Sequence, residues 1–104
     1  MTKIEAGQPV VTLINVFTVP APRQQELIDL LVQATEDVMR ARPGFVSANI
    51  HRGLDGTKVA NYAQWRTRAD FEAMLQDPRC QEHMAAASAI AGFEPALYEV
   101  ASVH

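Results

Sequence analysis

Alternating apolar and polar positions divide the first half of the chain into a strand, a helix and a hairpin. Residues 10–19, VVTLINVFTV, are rich in β-branched side chains and predict a first strand. Apolar positions then recur at helical spacing, which predicts a helix from about Arg23 to Arg42, ended by Pro43-Gly44. The segments 45–52 and 58–65 predict two further strands, which the Gly-rich turn between them joins as a hairpin.

The second half of the chain predicts a broken helix followed by one strand. Thr67 and Asp70 resemble a capping box at the start of a helix that runs from about Arg68 to Gln76. Asp77 and Pro78 are typical of a second helix start, with the aspartate as N-cap. This second helical segment is expected to continue to about Ile90. Gly92 then ends it, and a final strand is predicted at about 96–103.

The resulting order, β-α-β-β-α-β, predicts an α+β fold of the ferredoxin-like type, with both helices on one face of an antiparallel sheet. The first strand is apolar on both faces: Val11, Leu13 and Phe17 share one face, and Ile14 and Val16 share the other. A strand that is apolar on both sides has to be covered on both sides. The sequence therefore predicts a homodimer that packs sheet against sheet around a two-fold axis.

Length and composition limit the possible classes of protein. The 104 residues form one predicted domain, in which residues 1–8 are expected to be flexible. The net charge is −3 and no basic cluster occurs, so nucleic-acid binding is not expected. Cys80 is the single cysteine, which fits a reducing compartment. The start of the chain does not resemble a signal peptide and no apolar run is long enough to span a membrane, so we expect a cytoplasmic protein.

The stretch 61–65, NYAQW, has an unusual pattern for a strand. Asn61, Ala63 and Trp65 fall on one face, whereas Tyr62 and Gln64 fall on the other. An amide that is buried without partners costs about 1–3 kcal/mol, so an inward Asn indicates a polar role. An amide can donate to a developing oxyanion, and an indole offers a flat surface to aromatic rings. A lone inward Trp can also be an ordinary core residue.

Several stretches resemble the antibiotic biosynthesis monooxygenase family. They are DGTKVA followed by NYAQW at 55–65, PGFVSANIH at 43–51 and DPR at 77–79. The chain is especially similar to anthrone oxygenases of aromatic polyketide pathways, and the resemblance extends from about Val10 to Val103. It implies a dimeric α+β barrel that oxidises anthrones to quinones with O₂ and without metal, flavin or haem. It also implies that Asn61 and Trp65 line the pocket and assist oxygenation.

Two positions distinguish subgroups within the family that this chain resembles. The actinorhodin-type enzymes have a pocket Tyr where this chain has Phe71, and a pocket Arg near the position of Met84. The nogalamycin-type enzymes rely mainly on the Asn and the Trp. They are therefore the closer functional model for this chain.

The remaining candidates for the site are weaker. His83 is a candidate general base, since histidine is the side chain that most often transfers protons in catalysis; a position at the surface or edge is its alternative. Asn15, His51, Tyr62 and Phe71 are candidate substrate-binding residues. No metal site is predicted, because no pair of His or Cys has ligand spacing. No Gly-rich phosphate loop occurs.

Two other functions remain open at this stage. Haem-degrading enzymes share this fold, and Asn15 and His83 match their pocket Asn and their iron-ligating His. Their catalytic Trp, however, falls near Met74. The domain can also be a non-catalytic binder of small molecules, because fold alone does not determine function.

Overall fold

The computed structural model describes all 104 residues and has the predicted order of elements. Its four strands form one antiparallel sheet in the order β2-β3-β1-β4, which confirms the α+β, ferredoxin-like prediction. Two short 3₁₀ turns, Ala21–Arg23 and Met39–Ala41, flank the first helix. The strands and helices are β1 (Val11–Thr18), α1 (Gln24–Asp37), β2 (Phe45–Arg52), β3 (Lys58–Trp65), α2 (Arg68–Leu75), α3 (Pro78–Ser88) and β4 (Gly92–Tyr98).

The last strand lies earlier in the chain than the sequence analysis predicted. Gly92 begins β4 by pairing with Thr18, and the strand ends at Tyr98 rather than near Val103. Pro95 lies inside it, opposite Asn15. Proline is tolerated there because β4 is an edge strand, which hydrogen-bonds to a neighbour on one side only. The first helix is also shorter than predicted, because its last turn tightens into the 3₁₀ turn before Pro43.

The face of the sheet that meets the helices carries the core, and that core consists of two separate clusters. One cluster lies around Trp65 and includes the buried side chains of Leu13 and Phe71. The other lies around Leu27 of α1 and Phe17 of β1. Met84 of α3 packs against both clusters. The core is therefore divided along the strands.

The opposite face of the sheet, which we call the outer face, is polar at one end and apolar in its centre. Gln64 is only 1% exposed, and its amide donates to the carbonyl of Lys3 at 2.7 Å. The Ser47 hydroxyl donates to the Gln64 side chain and accepts from Thr2. These bonds bring the N-terminal residues across this end of the sheet. Two expectations from the sequence stay predictions: that residues 1–8 are flexible, and that the 104 residues form a single domain.

The centre of the outer face is left open. Its exposed apolar side chains include Val16, which is 40% exposed, and Tyr98, which is 50% exposed. Ile14 and Tyr62 are neighbours in the β1–β3 register and are half-buried. The homodimer inferred from the sequence would cover this area.

None of the helices combines the length and the apolar character needed to cross a lipid bilayer.

Side-chain caps separate the two helices that follow the hairpin. The Thr67 hydroxyl accepts from the Asp70 N–H at the start of α2, as the sequence predicted. The Asp77 carboxylate accepts from the Arg79 N–H at the start of α3 and forms an ion pair with Arg42 at 3.6 Å. Hydrogen bonds from Arg79, with the charge of Arg42, lower the pKa of the Asp77 carboxyl.

The capped start of α3 gives a testable dependence of stability on pH. Because the pKa of Asp77 is lower in the folded state, its charge stabilises the fold above the ordinary pKa of an aspartate. This contribution is lost as the pH falls through the folded-state pKa. We expect Asp77→Asn, which can still cap α3, to lower the free energy of unfolding at pH 7. The difference from the wild type should shrink steadily as the pH is lowered below 4.

Urea unfolding followed by circular dichroism between pH 7 and pH 3 measures this difference. Asp29→Asn is the matched control, because its carboxylate accepts only from the exposed Gln25 amide within α1. A gap between Asp77→Asn and the wild type that stayed constant over this range would contradict the assignment.

Candidate active site

A cavity of about 680 Å³ lies between the sheet and the helices. Its floor is the inner face of the four strands, and its roof is formed by α1, α2 and α3. Hydrophobic side chains make up 17 of the 24 residues that line it. Cavities of this size and character typically hold small organic ligands. The divided core described above encloses this space, since both clusters contribute to its walls.

Small side chains on the sheet create the space. Ala63 lies between Asn61 and Trp65 on the same face of β3, and Ala48 is its partner on β2. A larger residue at either position would project into the cavity. The floor is bounded by Trp65 at one end and by Phe17 and its tilted neighbour Phe93, 5.5 Å away, at the other. The cavity is therefore long and bordered by aromatic rings.

Two carboxamides face each other in the middle of this floor. Asn15 of β1 and Asn61 of β3 are direct partners in the antiparallel register, and both line the cavity. Side chains at such paired positions have Cβ atoms about 4.5–5.5 Å apart. The Oδ1 atoms of both residues are buried and have no hydrogen-bond partner. Buried amides are normally hydrogen-bonded, so this pair is an unsatisfied polar site that a ligand can complete.

Three aromatic rings form the wall at the Trp65 end. The indole packs edge-on against Phe45, with ring centroids 5.6 Å apart, and against Phe71 at 6.2 Å. Trp65 is 1% exposed and belongs to the core cluster, yet it also lines the cavity. Trp65 is therefore both a residue of the hydrophobic core and a residue of the cavity wall. Such a rigid aromatic wall suits a flat ring system.

The helices contribute sulfur atoms and one ion pair. Met39, Met74, Cys80 and Met84 line the cavity. Burial raises the pKa of the Cys80 thiol, which therefore stays protonated near neutral pH. The charged residues of the lining are Arg68 and Glu72 of α2, which pair with each other at 2.9 Å on the exposed side of the helix.

The structure brings together four of the seven residues singled out from the sequence. Asn61, Trp65, Asn15 and Phe71 line the cavity. Their roles in binding or catalysis stay predictions.

His83, His51 and Tyr62 do not line the cavity, which corrects their expected placement. His83 of α3 is half-buried and is not among the residues that line the cavity, although its neighbour Met84 is. Tyr62 lies on the outer face because neighbouring residues of a strand point to opposite sides. His51 pairs with Ala60, which puts it on the same outer face, and it is exposed.

The sequence analysis did not identify the alanines and methionines of the lining. Ala48, Ala63, Met39 and Met84 carry no chemistry that marks a site. The helical spacing of Cys80 and Met84, four residues apart, was a usable signal that both face the sheet. No group of three His, Cys, Asp or Glu side chains is close enough together to hold a metal ion.

Comparisons with known proteins agree with this fold and site. The family model described as antibiotic biosynthesis monooxygenase matches residues 10–86. The chain is 48% identical over 100 residues to the tetracenomycin-F1 monooxygenase of Streptomyces glaucescens, covering 96% of this chain and 89% of that protein.

Two solved structures are also similar. SnoaB, a cofactor-independent oxygenase from Streptomyces nogalater, is 28% identical with a TM-score of 0.81, covering 92% of this chain and 97% of that one. The monooxygenase ActVA-Orf6 of Streptomyces coelicolor, solved in complex with nanaomycin D, is 29% identical with a TM-score of 0.77, covering 86% of this chain and 85% of that one.

The predicted family and the prediction that this chain is a monooxygenase are confirmed by these comparisons. The family model matches well over half of the residues of this chain, so the chain belongs to the antibiotic biosynthesis monooxygenase family.

Proposed function

We propose that this chain is a cofactor-independent monooxygenase that oxidises an anthrone or a related polycyclic phenol to a quinone with O₂. The observation that carries the proposal is the pair of carboxamides, Asn15 and Asn61, on the floor of an apolar cavity; their buried Oδ1 atoms have no hydrogen-bond partner and can accept from a substrate hydroxyl. The relatives support it: one acts on tetracenomycin F1, and another is a cofactor-independent oxygenase. A substrate of the tetracenomycin type in aromatic polyketide biosynthesis is the specific expectation.

The substrate can supply the electrons for this reaction. Loss of a proton from the methylene carbon of an anthrone gives a delocalised anion whose charge rests largely on the carbonyl oxygen. This anion transfers one electron to O₂, and the two radicals combine into a hydroperoxide at the same carbon. Loss of water from the hydroperoxide gives the quinone. One anthrone and one O₂ thus yield one quinone and one water.

The carboxamides can favour the anion over the neutral substrate. Each amide NH₂ can donate to the oxygen on which charge develops. In an enzyme site one such donor contributes about 2.7–4 kcal/mol to the transition state. We assign the catalytic role to Asn61 and a binding role to Asn15, its cross-strand partner. No histidine lines the cavity, so His83 is not part of the proposed mechanism.

The apolar walls have two functions in this proposal. Trp65, with Phe71 and Phe45 against it, stacks on or borders the flat substrate and fixes its orientation above the carboxamides. The hydrophobic lining also excludes bulk water, which strengthens the interaction between the amide dipoles and the anion.

The haem alternative has little support from the placement of its residues. Asn15 lines the cavity, but His83 lies outside the lining, and the position of the catalytic Trp is occupied by Met74. The site thus has one of three groups that the haem-degrading enzymes use.

We also propose that the protein is a cytoplasmic homodimer. A second copy would cover Ile14, Val16 and Tyr98 in the open centre of the outer face. A dimeric mass by light scattering, converted to a monomeric mass by Val16→Asp, is expected. A monomeric wild type at micromolar concentration would contradict this proposal.

Oxygen dependence tests the proposed function directly. Purified protein, treated with a chelator and free of visible cofactor absorption, is incubated with an anthrone under air. We expect quinone formation with one O₂ consumed per quinone, and none under argon beyond the uncatalysed rate. Binding of the anthrone without turnover would instead support a non-catalytic binder. A Soret shift on adding haem that is abolished by His83→Ala would favour the haem alternative.

The catalytic role of Asn61 gives a prediction with a matched control. Asn61→Ala should lower kcat at least tenfold, about 1.4 kcal/mol in barrier, because one oxyanion donor is lost. Asn49→Ala removes the same amide from the neighbouring strand β2. That amide lies on the outer face and donates to the Tyr62 carbonyl. The Asn49→Ala substitution should leave kcat within about twofold of the wild-type value. Equal rates in Asn61→Ala and the wild type would remove Asn61 from the mechanism.

A further inference from the structure

The sulfur atoms of this chain are concentrated around the cavity. Of its four methionines, three line the cavity together with the single cysteine. We call Met39, Met74, Cys80 and Met84 the sulfur wall. The remaining methionine, Met1, is fully exposed at the N-terminus. The proposed function does not use any of these side chains.

The thioethers of the sulfur wall differ in how open they are to a reagent in the cavity. Met74 is 4% exposed, and its sulfur accepts from the Cys80 thiol at 3.1 Å. Met39 and Met84 are only half-buried and form no such contact. A thioether needs no deprotonation to react with a peroxide, whereas a thiol reacts as the thiolate. Met39 and Met84 are therefore the most readily oxidised groups next to a bound substrate.

We propose that the sulfur wall is a site of self-oxidation during turnover, an inference that rests on the proposed function. The oxidant is the substrate hydroperoxide formed in the cavity. The sulfur of Met39 or Met84 attacks the outer peroxide oxygen, the O–O bond breaks, and that oxygen is transferred to sulfur. The products are a methionine sulfoxide and the substrate alcohol, which takes up the proton. Sulfur loses two electrons, and the peroxide bond gains them.

Sulfoxide formation should end the activity of the molecule in which it occurs. Oxidation converts an apolar and flexible side chain into a polar one. Met84 packs against both core clusters, so a polar group there disturbs the walls on both sides of the cavity. The number of turnovers per molecule is then limited by how often the hydroperoxide reacts with sulfur before it loses water.

Peptide mass spectrometry after turnover tests this proposal. The substitution Leu54→Met adds a reporter, because Leu54 lies in the β2–β3 turn and is fully exposed. The Leu54→Met protein is turned over with an anthrone, air and catalase. We expect oxygen addition at Met39 and Met84 to rise with the number of turnovers and to exceed that at residue 54 at least fivefold, with Met74 oxidised less.

Dilute hydrogen peroxide without substrate is the control for an oxidant that arrives from solvent. It should reverse the order and oxidise residue 54 first. Oxidation of residue 54 ahead of Met39 and Met84 during turnover would overturn the proposal, as would quinone formation over many turnovers with no sulfoxide at either position. Absence of quinone formation altogether would instead contradict the proposed function.

A second variant connects the modification to the loss of activity. Met39→Leu/Met84→Leu keeps similar side-chain volumes but removes both reactive sulfurs. We expect the fraction of activity lost per turnover to be at least threefold smaller in this variant than in the wild type, whatever the initial rate of the variant. Methionine sulfoxide reductases should restore activity to spent wild type and not to the variant. Identical losses per turnover in both proteins would contradict the proposed link.

Discussion

The site depends on two carboxamides that are paired across the central strands and whose oxygen atoms are buried without hydrogen-bond partners. Each unsatisfied amide costs about 1–3 kcal/mol, a large part of the stability of a chain of 104 residues. Asn15 and Asn61 occupy the two central strands, and the buried Oδ1 atom of each has no hydrogen-bond partner within the protein. Their cost to stability is consistent with a site kept open for a polar ligand atom.

The cavity is maintained by a core that is divided in two. The cluster around Trp65 and the cluster around Leu27 are each tightly buried, so each holds its end of the helical layer against the sheet. Within the Trp65 cluster, the small side chain of Ala63 and its neighbour Ala48 leave the floor uncovered. The two core clusters thus also form the walls of the site. Away from the cavity, the Gln24 amide donates to two carbonyls of the β2–β3 hairpin.

Sequence patterns predicted the sheet, the hairpin and the shared face of Asn61 and Trp65, because two-residue alternation reports directly on the side of a strand. They failed for β4, which begins at Gly92 rather than near Ala96 and contains Pro95, a residue that the edge position of the strand makes acceptable. They left the placement of His83 open between the pocket and the surface, because the orientation of a helix about its axis depends on tertiary packing. The empty volume could not be predicted, since it arises from small residues on different strands.

The central claim is that the floor bearing the two carboxamides opens into a space that holds a flat polycyclic molecule. Trp65 is the only tryptophan and lines that space, so its fluorescence reports on occupancy. Titration with an anthraquinone should quench this fluorescence at one equivalent per chain. Ala63→Leu fills the floor and should weaken binding at least tenfold, whereas Ala86→Leu on the exposed face of α3 should not. Unchanged binding in Ala63→Leu, in a protein that remains folded, would contradict the claim.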